Sequence, residues 1–199
     1  MKIIGMTGGV GAGKSTVLEY LRERHGAYTV QADLVGHELM EPKGSCFAPI
    51  LDLLGHKILD AQGRIDRKKV AGIVFPRPEI LAELNEIIHP AVKKEILRRA
   101  AEEERQGRRL FVIEAALLIE ARYDEFCEDI WYICADPALR RQRLKDERGY
   151  PDEKITDIFK NQQTDQIFRQ KCGYVVENNG DLQAAYQQID RRIKTYGIL

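Results

Sequence analysis

Residues near the N-terminus have the types and spacing to work on a phosphate chain: Gly8-Gly9-Val10-Gly11-Ala12-Gly13-Lys14-Ser15, followed by Thr16. They match G-x-x-x-x-G-K-[ST], the phosphate loop or P-loop. Glycines let the backbone curl so that successive N–H groups converge on phosphate oxygens. A helix starting near Lys14 adds the positive end of its dipole. Lys14 then spans the β- and γ-phosphates of ATP, and Ser15 ligates Mg²⁺. Gly9, Val10, Gly11, Ala12, Gly13, Lys14, Ser15 and Thr16 are therefore the expected nucleotide-binding residues.

Further chemical groups lie downstream. Asp33 ends Val30-Gln31-Ala32-Asp33, where a strand end would open onto a ligand crevice. A carboxylate there can take the proton of an attacking hydroxyl. It can equally cap a helix through Leu34 to Met40, and residue chemistry leaves both roles open. Arg140, Arg143 and Arg148 lie in a charged stretch and can neutralise a transferring phosphoryl group, or simply face water in i,i+4 pairs. Arg67 can hold an acceptor phosphate bidentately or open a basic helix. His89 precedes Pro90, as at a helix entrance, which suits a structural or acceptor-lining role.

The elements that must position these groups alternate. Lys2 to Thr7, Ala27 to Ala32, Leu110 to Ile113, Ile130 to Ile133 and Tyr174 to Val176 read as short strands, the two central runs unbroken as in strands buried on both faces. Val17, Leu18 and Leu21 make one helical face. Val92, Ile96 and Ala100 make a second, and Leu182, Ala185, Ile189 and Ile193 a third. Strands alternating with helices predict an α/β three-layer sandwich of the P-loop NTPase type, with a parallel sheet of about five strands. Residues 34–90 hold helical pieces with weak strand signal and predict a helical insertion. Residues 137–171 predict a charged helical segment. The core is then 1–33, 91–136 and 172–199, within a single domain of 199 residues.

Composition excludes several classes. Thirty-one Lys and Arg balance 31 Asp and Glu, so no global positive field supports nucleic-acid binding. Cys46, Cys127, Cys134 and Cys172 show no metal-ligand spacing and predict reduced, packed thiols. No apolar stretch is long enough to span a bilayer, and the N-terminal run is too short for a secretory signal, so a cytoplasmic protein is expected. The guanine-reading N-K-x-D or T-K-x-D tetrapeptide is missing. Where an ATPase usually carries Asp after an apolar strand, this chain has Glu114.

The phosphate loop together with Ala32-Asp33…His37-Glu38-Leu39, Gly63-Arg64-Ile65-Asp66-Arg67, Val74-Phe75, His89-Pro90, Leu117-Leu118 with Glu120, and Asn178-x-Gly180 resembles the dephospho-CoA kinases, in order and over nearly the whole chain. That resemblance implies ATP-dependent phosphorylation of the ribose 3′-hydroxyl of dephospho-CoA, the last step of coenzyme A synthesis. It implies Asp33 as base beside Lys14, residues 34–90 as the acceptor-binding insertion and 137–171 as a lid. Arg143 and Arg148 fit its pattern best among the lid arginines. His37, Arg67, His89 and Glu120 become expected acceptor contacts, with a small molecule as partner, neither membrane nor nucleic acid, and a monomer or small homo-oligomer. The chain departs from the pattern at Gln31 and Ala116, where the family often has Asp and Pro, and at Cys172-Gly173, where it often has Ala-Asp. Rival readings are a nucleoside or nucleoside-monophosphate kinase, a P-loop ATPase coupled to a partner, and a nucleotide-binding module without catalysis.

Overall fold

A computed structural model describes residues 1–198. The strands are β1 (Lys2–Thr7), β2 (Tyr28–Gln31), β3 (Leu110–Glu114), β4 (Asp129–Cys134) and β5 (Tyr174–Glu177). They form one sheet in the order β2-β3-β1-β4-β5. β1 pairs in parallel with β3 (Ile4 with Val112) and with β4 (Met6 with Trp131), and β4 with β5 (Tyr132 with Val175). The predicted parallel α/β sheet of five strands is therefore present.

Compact packing divides the chain into two units, one of Met1–Val30 with the chain from Glu103 onward, the other of Gln31–Glu102. In the first, α1 (Lys14–His25) and α9 (Leu182–Thr195) cover one face of the sheet. Val17, Leu18 and Leu21 from α1, and Ala185, Ile189 and Ile193 from α9, meet Ile4, Met6, Val112, Trp131 and Ile133 in one apolar core. Leu182, expected on that face, stays 40% exposed because it is the first residue of α9. On the other face Tyr132 and Cys134 pack with Phe168 and Cys172. Three helices fill residues 137–171: α6 (Pro137–Arg148), α7 (Asp152–Lys160) and α8 (Asp165–Lys171).

The second unit has its own core. Ile50 and Leu54 of α3 (Phe47–Leu54), Val70 and Val74 of α4 (Arg67–Val74) and Leu84 of α5 (Pro78–Arg105) pack around Ile58. The helix entrance expected at His89-Pro90 is absent, since both residues lie inside the 28-residue α5. Pro90 cannot donate to the Glu86 carbonyl, a cost of roughly 3 kcal/mol in a helix interior. The stripe of Leu84, Val92, Ile96 and Ala100, all buried, runs through the proline and outweighs it. α2 (Ala32–Leu39) also starts earlier than expected. Gln31 occupies its N-cap and Asp33 stands in its first turn, so Asp33 is not the cap.

At the far end of β4 the buried Asp129 accepts hydrogen bonds from Trp131 Nε1 (3.1 Å), Arg192 (3.0 and 2.7 Å) and the Tyr196 hydroxyl. A Cβ at residue 173 would lie 2.7 Å from Asp129 Oδ1, so Gly173 leaves room for this carboxylate. Burial opposes the Asp129 charge, but the bonds from Tyr196 and Arg192 outweigh it and hold the carboxyl below its ordinary 3.8. A depressed carboxyl stabilises above its unfolded pKa and loses that contribution as pH falls through the folded value. Asp129→Ala should cost roughly 1.5–3 kcal/mol at neutral pH, as expected for bonds to a charged group. Urea unfolding measures it, and the gap to wild type should shrink as pH drops below 3.8.

Candidate functional site

The phosphate loop joins β1 to α1. Gly13 has φ +92°, and a Cβ there would lie 2.3 Å from Asn178 Nδ2, so only glycine fits. At Gly9 a Cβ would lie 2.3 Å from the Arg140 guanidinium, which covers the loop at that point. The loop has few side chains, and polar side chains hold its carbonyls. Gly8 O accepts from Lys14 Nζ (2.9 Å), Val10 O from Arg140 Nε (2.9 Å), Gly11 O from Arg143 Nη1 (3.4 Å) and Ala12 O from Asn178 Nδ2 (2.8 Å). In a trans peptide the next residue's N–H points the opposite way from the carbonyl. The N–H groups of Gly9, Gly11 and Gly13 therefore face away from these donors, as an anion cradle requires. α1 begins at Lys14 with no side-chain cap, leaving its positive end to an anion.

Lys14 also pairs with Glu114 Oε1 at 3.5 Å, both side chains nearly buried. Glu114 ends β3 directly opposite Met6 of β1, so the register brings this acid to the loop. Ser15 is exposed in the first turn of α1, with Thr16 half-buried after it.

Of Arg140, Arg143 and Arg148 on α6, the first two come to the loop. Arg143 bridges Gly11 O and Asn178 O (3.2 Å). Arg140 lies over the Phe159 ring at 4.3 Å and donates to Gln162, and burial pulls its guanidinium below its ordinary pKa. Arg148 is exposed in the last turn of α6, where it bonds Tyr150 and helps pull that phenol below its ordinary value. A cleft of about 440 Å³ opens beside the loop, lined by Gly8, Gly9, Leu117, Glu120, Gln162 and Gln163. Glu120 accepts from Gln163 Nε2 at 2.9 Å.

In the second unit, Asp33 and His37 stand one turn apart on α2, and Arg67 opens α4. Arg67 Nη1 lies 3.4 Å from His37 Nδ1. Burial first, then the Arg67 charge, lowers the His37 pKa, with Asp33 acting the other way. A guanidinium can only donate, so in this contact Nδ1 of His37 is the acceptor. The motif before Arg67 is mostly architecture. Gly63 takes φ +75°, Asp60 accepts from the amides of Gln62 and Arg64 (2.9 Å each), and Asp66 caps α4 through Lys68 N (2.9 Å). Of the two exposed arginines in that run, Arg64 is paired with Asp60 (3.1 Å), and Arg67 has a side chain suited to an anion. His89 is half-buried within α5.

Reasoning from sequence assigned no role to Asn178, Glu114, Gln162 or Gln163 in this site, and set Arg140 behind its neighbours. Asn178 stood in the resemblance without a task. The structure gives it one: it is 2% exposed, its backbone N–H donates to Cys134 O (2.7 Å) and its side chain holds Ala12. Glu114, noted as an acid after an apolar strand, carries the one signal that could have found it. All four cysteines are free thiols, and burial pushes Cys127 up to about 12 and Cys134 and Cys172 to about 11.

The family model for dephospho-CoA kinase matches residues 2–184. A dephospho-CoA kinase of Fusobacterium nucleatum is 35% identical over 196 residues, covering 97% of each chain. Another, of Dehalococcoides mccartyi, is 35% identical over 179 residues, 90% of this chain and 89% of that one. Among solved structures, TT1252 from Thermus thermophilus superposes with a TM-score of 0.84 at 26% identity, covering 98% of this chain and 97% of that one. With the match running from β1 into α9 and the phosphate loop intact, the chain belongs to the dephospho-CoA kinase family.

Proposed function

We propose that this protein transfers the γ-phosphoryl group of ATP to the ribose 3′-hydroxyl of dephospho-CoA, giving coenzyme A. The observation that carries the reading is the phosphate loop itself. In a chain of this family, its carbonyls are held outward and Lys14 is folded back onto Gly8 O and Glu114. Lys14 is assigned the step from the loop carbonyl to the β- and γ-phosphates. Arg143, with Arg140 as second candidate, is assigned to turn from the loop carbonyls to the phosphates, where the loose transition state spreads negative charge over the equatorial oxygens.

Asp33 is assigned the proton of the acceptor hydroxyl, because it follows the carboxyl end of β2 within two residues and is exposed in the first turn of α2. His37 and Arg67 are assigned to the acceptor, the imidazole as a hydrogen-bonding surface and the guanidinium as an anion clamp. Glu120 and His89 are assigned supporting places on the acceptor side, and residues 34–90 the acceptor-binding role. Arg148 is kept as a nucleotide contact only if it leaves Tyr150. Mg²⁺ needs few protein ligands, all oxygen, and the Ser15 hydroxyl with the Glu114 carboxylate nearby fits that demand. When bound, the ion neutralises charge on the β- and γ-phosphate oxygens. The reading carries with it a cytoplasmic setting and a monomer or small homo-oligomer. Among the described residues no helix is long and apolar enough to cross a membrane.

Incubation with ATP–Mg²⁺ and dephospho-CoA should give a product heavier by one phosphoryl group at the 3′ position, read by mass. ADP release without that product would point to an ATPase instead. Asp33→Asn should lower turnover by roughly 10²–10⁴ while ATP binding is retained, and near wild-type turnover overturns its role as base. Asn178→Ala leaves the Ala12 carbonyl without its donor. ATP should then bind more weakly by about 1–3 kcal/mol in titration calorimetry, the cost of a stranded buried polar group.

A further inference from the structure

The turn between α7 and α8 carries two adjacent glutamines tied to different walls of the cleft beside the phosphate loop. Gln162 Oε1 accepts from Arg140, whose Nε in turn holds Val10 O of the loop. Gln163 Nε2 donates to Glu120 Oε1 at 2.9 Å, on the segment that follows β3. Both glutamines line the cleft with Gly8 and Gly9. α8 is seated independently, with buried Phe168 stacked on Tyr132 at 4.7 Å and the Tyr132 hydroxyl donating to Asp165 at 3.0 Å. Thr164 and Asn161 bond the turn ahead of it to α8 and α7, and the glutamines tie it to the two walls of the cleft.

We propose that Gln162 and Gln163 are positioning residues that fasten this turn across the cleft, one to the loop side and one to the β3 side, and so keep water from the γ-phosphate. The proposal rests on the kinase reading above. In transfer, the acceptor oxygen bonds the γ-phosphorus, the bond to the ADP oxygen breaks, and the hydroxyl proton goes to the base. In the wasteful alternative a water oxygen attacks the same phosphorus, giving ADP, inorganic phosphate and a proton. The two reactions differ only in which oxygen reaches the phosphorus, so a fastened turn acts on their ratio. Neither glutamine ionises, and Gln163 is joined to the loop only through its neighbour. Loosening it should spare ATP binding.

The test uses the full-length protein with Gln163→Ala, Gln163→Glu, Glu120→Ala and the double variant Glu120→Ala/Gln163→Ala. Hydrogen–deuterium exchange over residues 159–165, measured without any acceptor, should quicken in each single variant. In the two Gln163 single variants the ratio of acceptor-independent ADP release to phosphorylated product should rise roughly 2- to 10-fold, the size of one hydrogen bond, with ATP affinity unchanged. Gln163→Glu sets two carboxylates together and should loosen the turn at least as much as alanine. The double variant should be no looser than the worse single one, because both remove the same bond. Wild-type exchange in the variants, or additive effects in the double variant, would overturn the proposal. A wild-type protein that makes no 3′-phosphorylated product would instead overturn the kinase reading, which the exchange measurement does not depend on.

Discussion

Everything at the nucleotide end depends on backbone carbonyls being held outward. A glycine-rich loop has almost no side chains of its own to fix its shape, and glycine loses more conformational freedom on ordering than any other residue. Lys14, Arg140, Arg143 and Asn178 supply what the loop lacks, each donating to a different carbonyl between Gly8 and Ala12. Peptide planarity does the rest, turning the intervening amides to the opposite side. Three of these donors, Lys14, Arg140 and Arg143, are cations, so the contacts that shape the loop also gather positive charge around it.

The same economy appears in the sheet. β1 is central and pairs on both sides in parallel, so its carboxyl end is fixed by β3 and β4 together. That register delivers Glu114 to Lys14 from one side and Cys134, which holds the Asn178 amide, from the other. At the opposite end of β4, Asp129 gathers Trp131, Arg192 and Tyr196 and ties α9 to the sheet. A buried charge there is tolerated because every nearby donor is aimed at it.

In the unit of Gln31–Glu102, function and architecture separate residue by residue. The run from Gly63 to Arg67 is a turn, a single bridge of Leu59 with Ile65, and a helix cap. Its pattern up to Asp66 is explained by backbone needs and by the pairing of Arg64 with Asp60, which makes Arg67 the candidate for a ligand. Its nearness to His37 joins two short helices into one polar cluster with Asp33.

The sequence by itself determined what rests on neighbours in the chain: the phosphate loop, the five strands, the helical faces of α1 and α9, and the polar residues Asp33, His37 and Arg67. Local backbone chemistry and side-chain periodicity carry those, and a family resemblance added their order. It misjudged His89-Pro90, because a proline reads as a boundary while the apolar stripe through it does not announce its strength until packed. Tertiary structure alone decided which arginines reach the loop, that Asn178 braces it from 166 residues away, and that Gln163 meets Glu120. Such pairings come from the superposition of helices on a parallel sheet, where distant side chains are brought within hydrogen-bond range and no spacing in the chain records it.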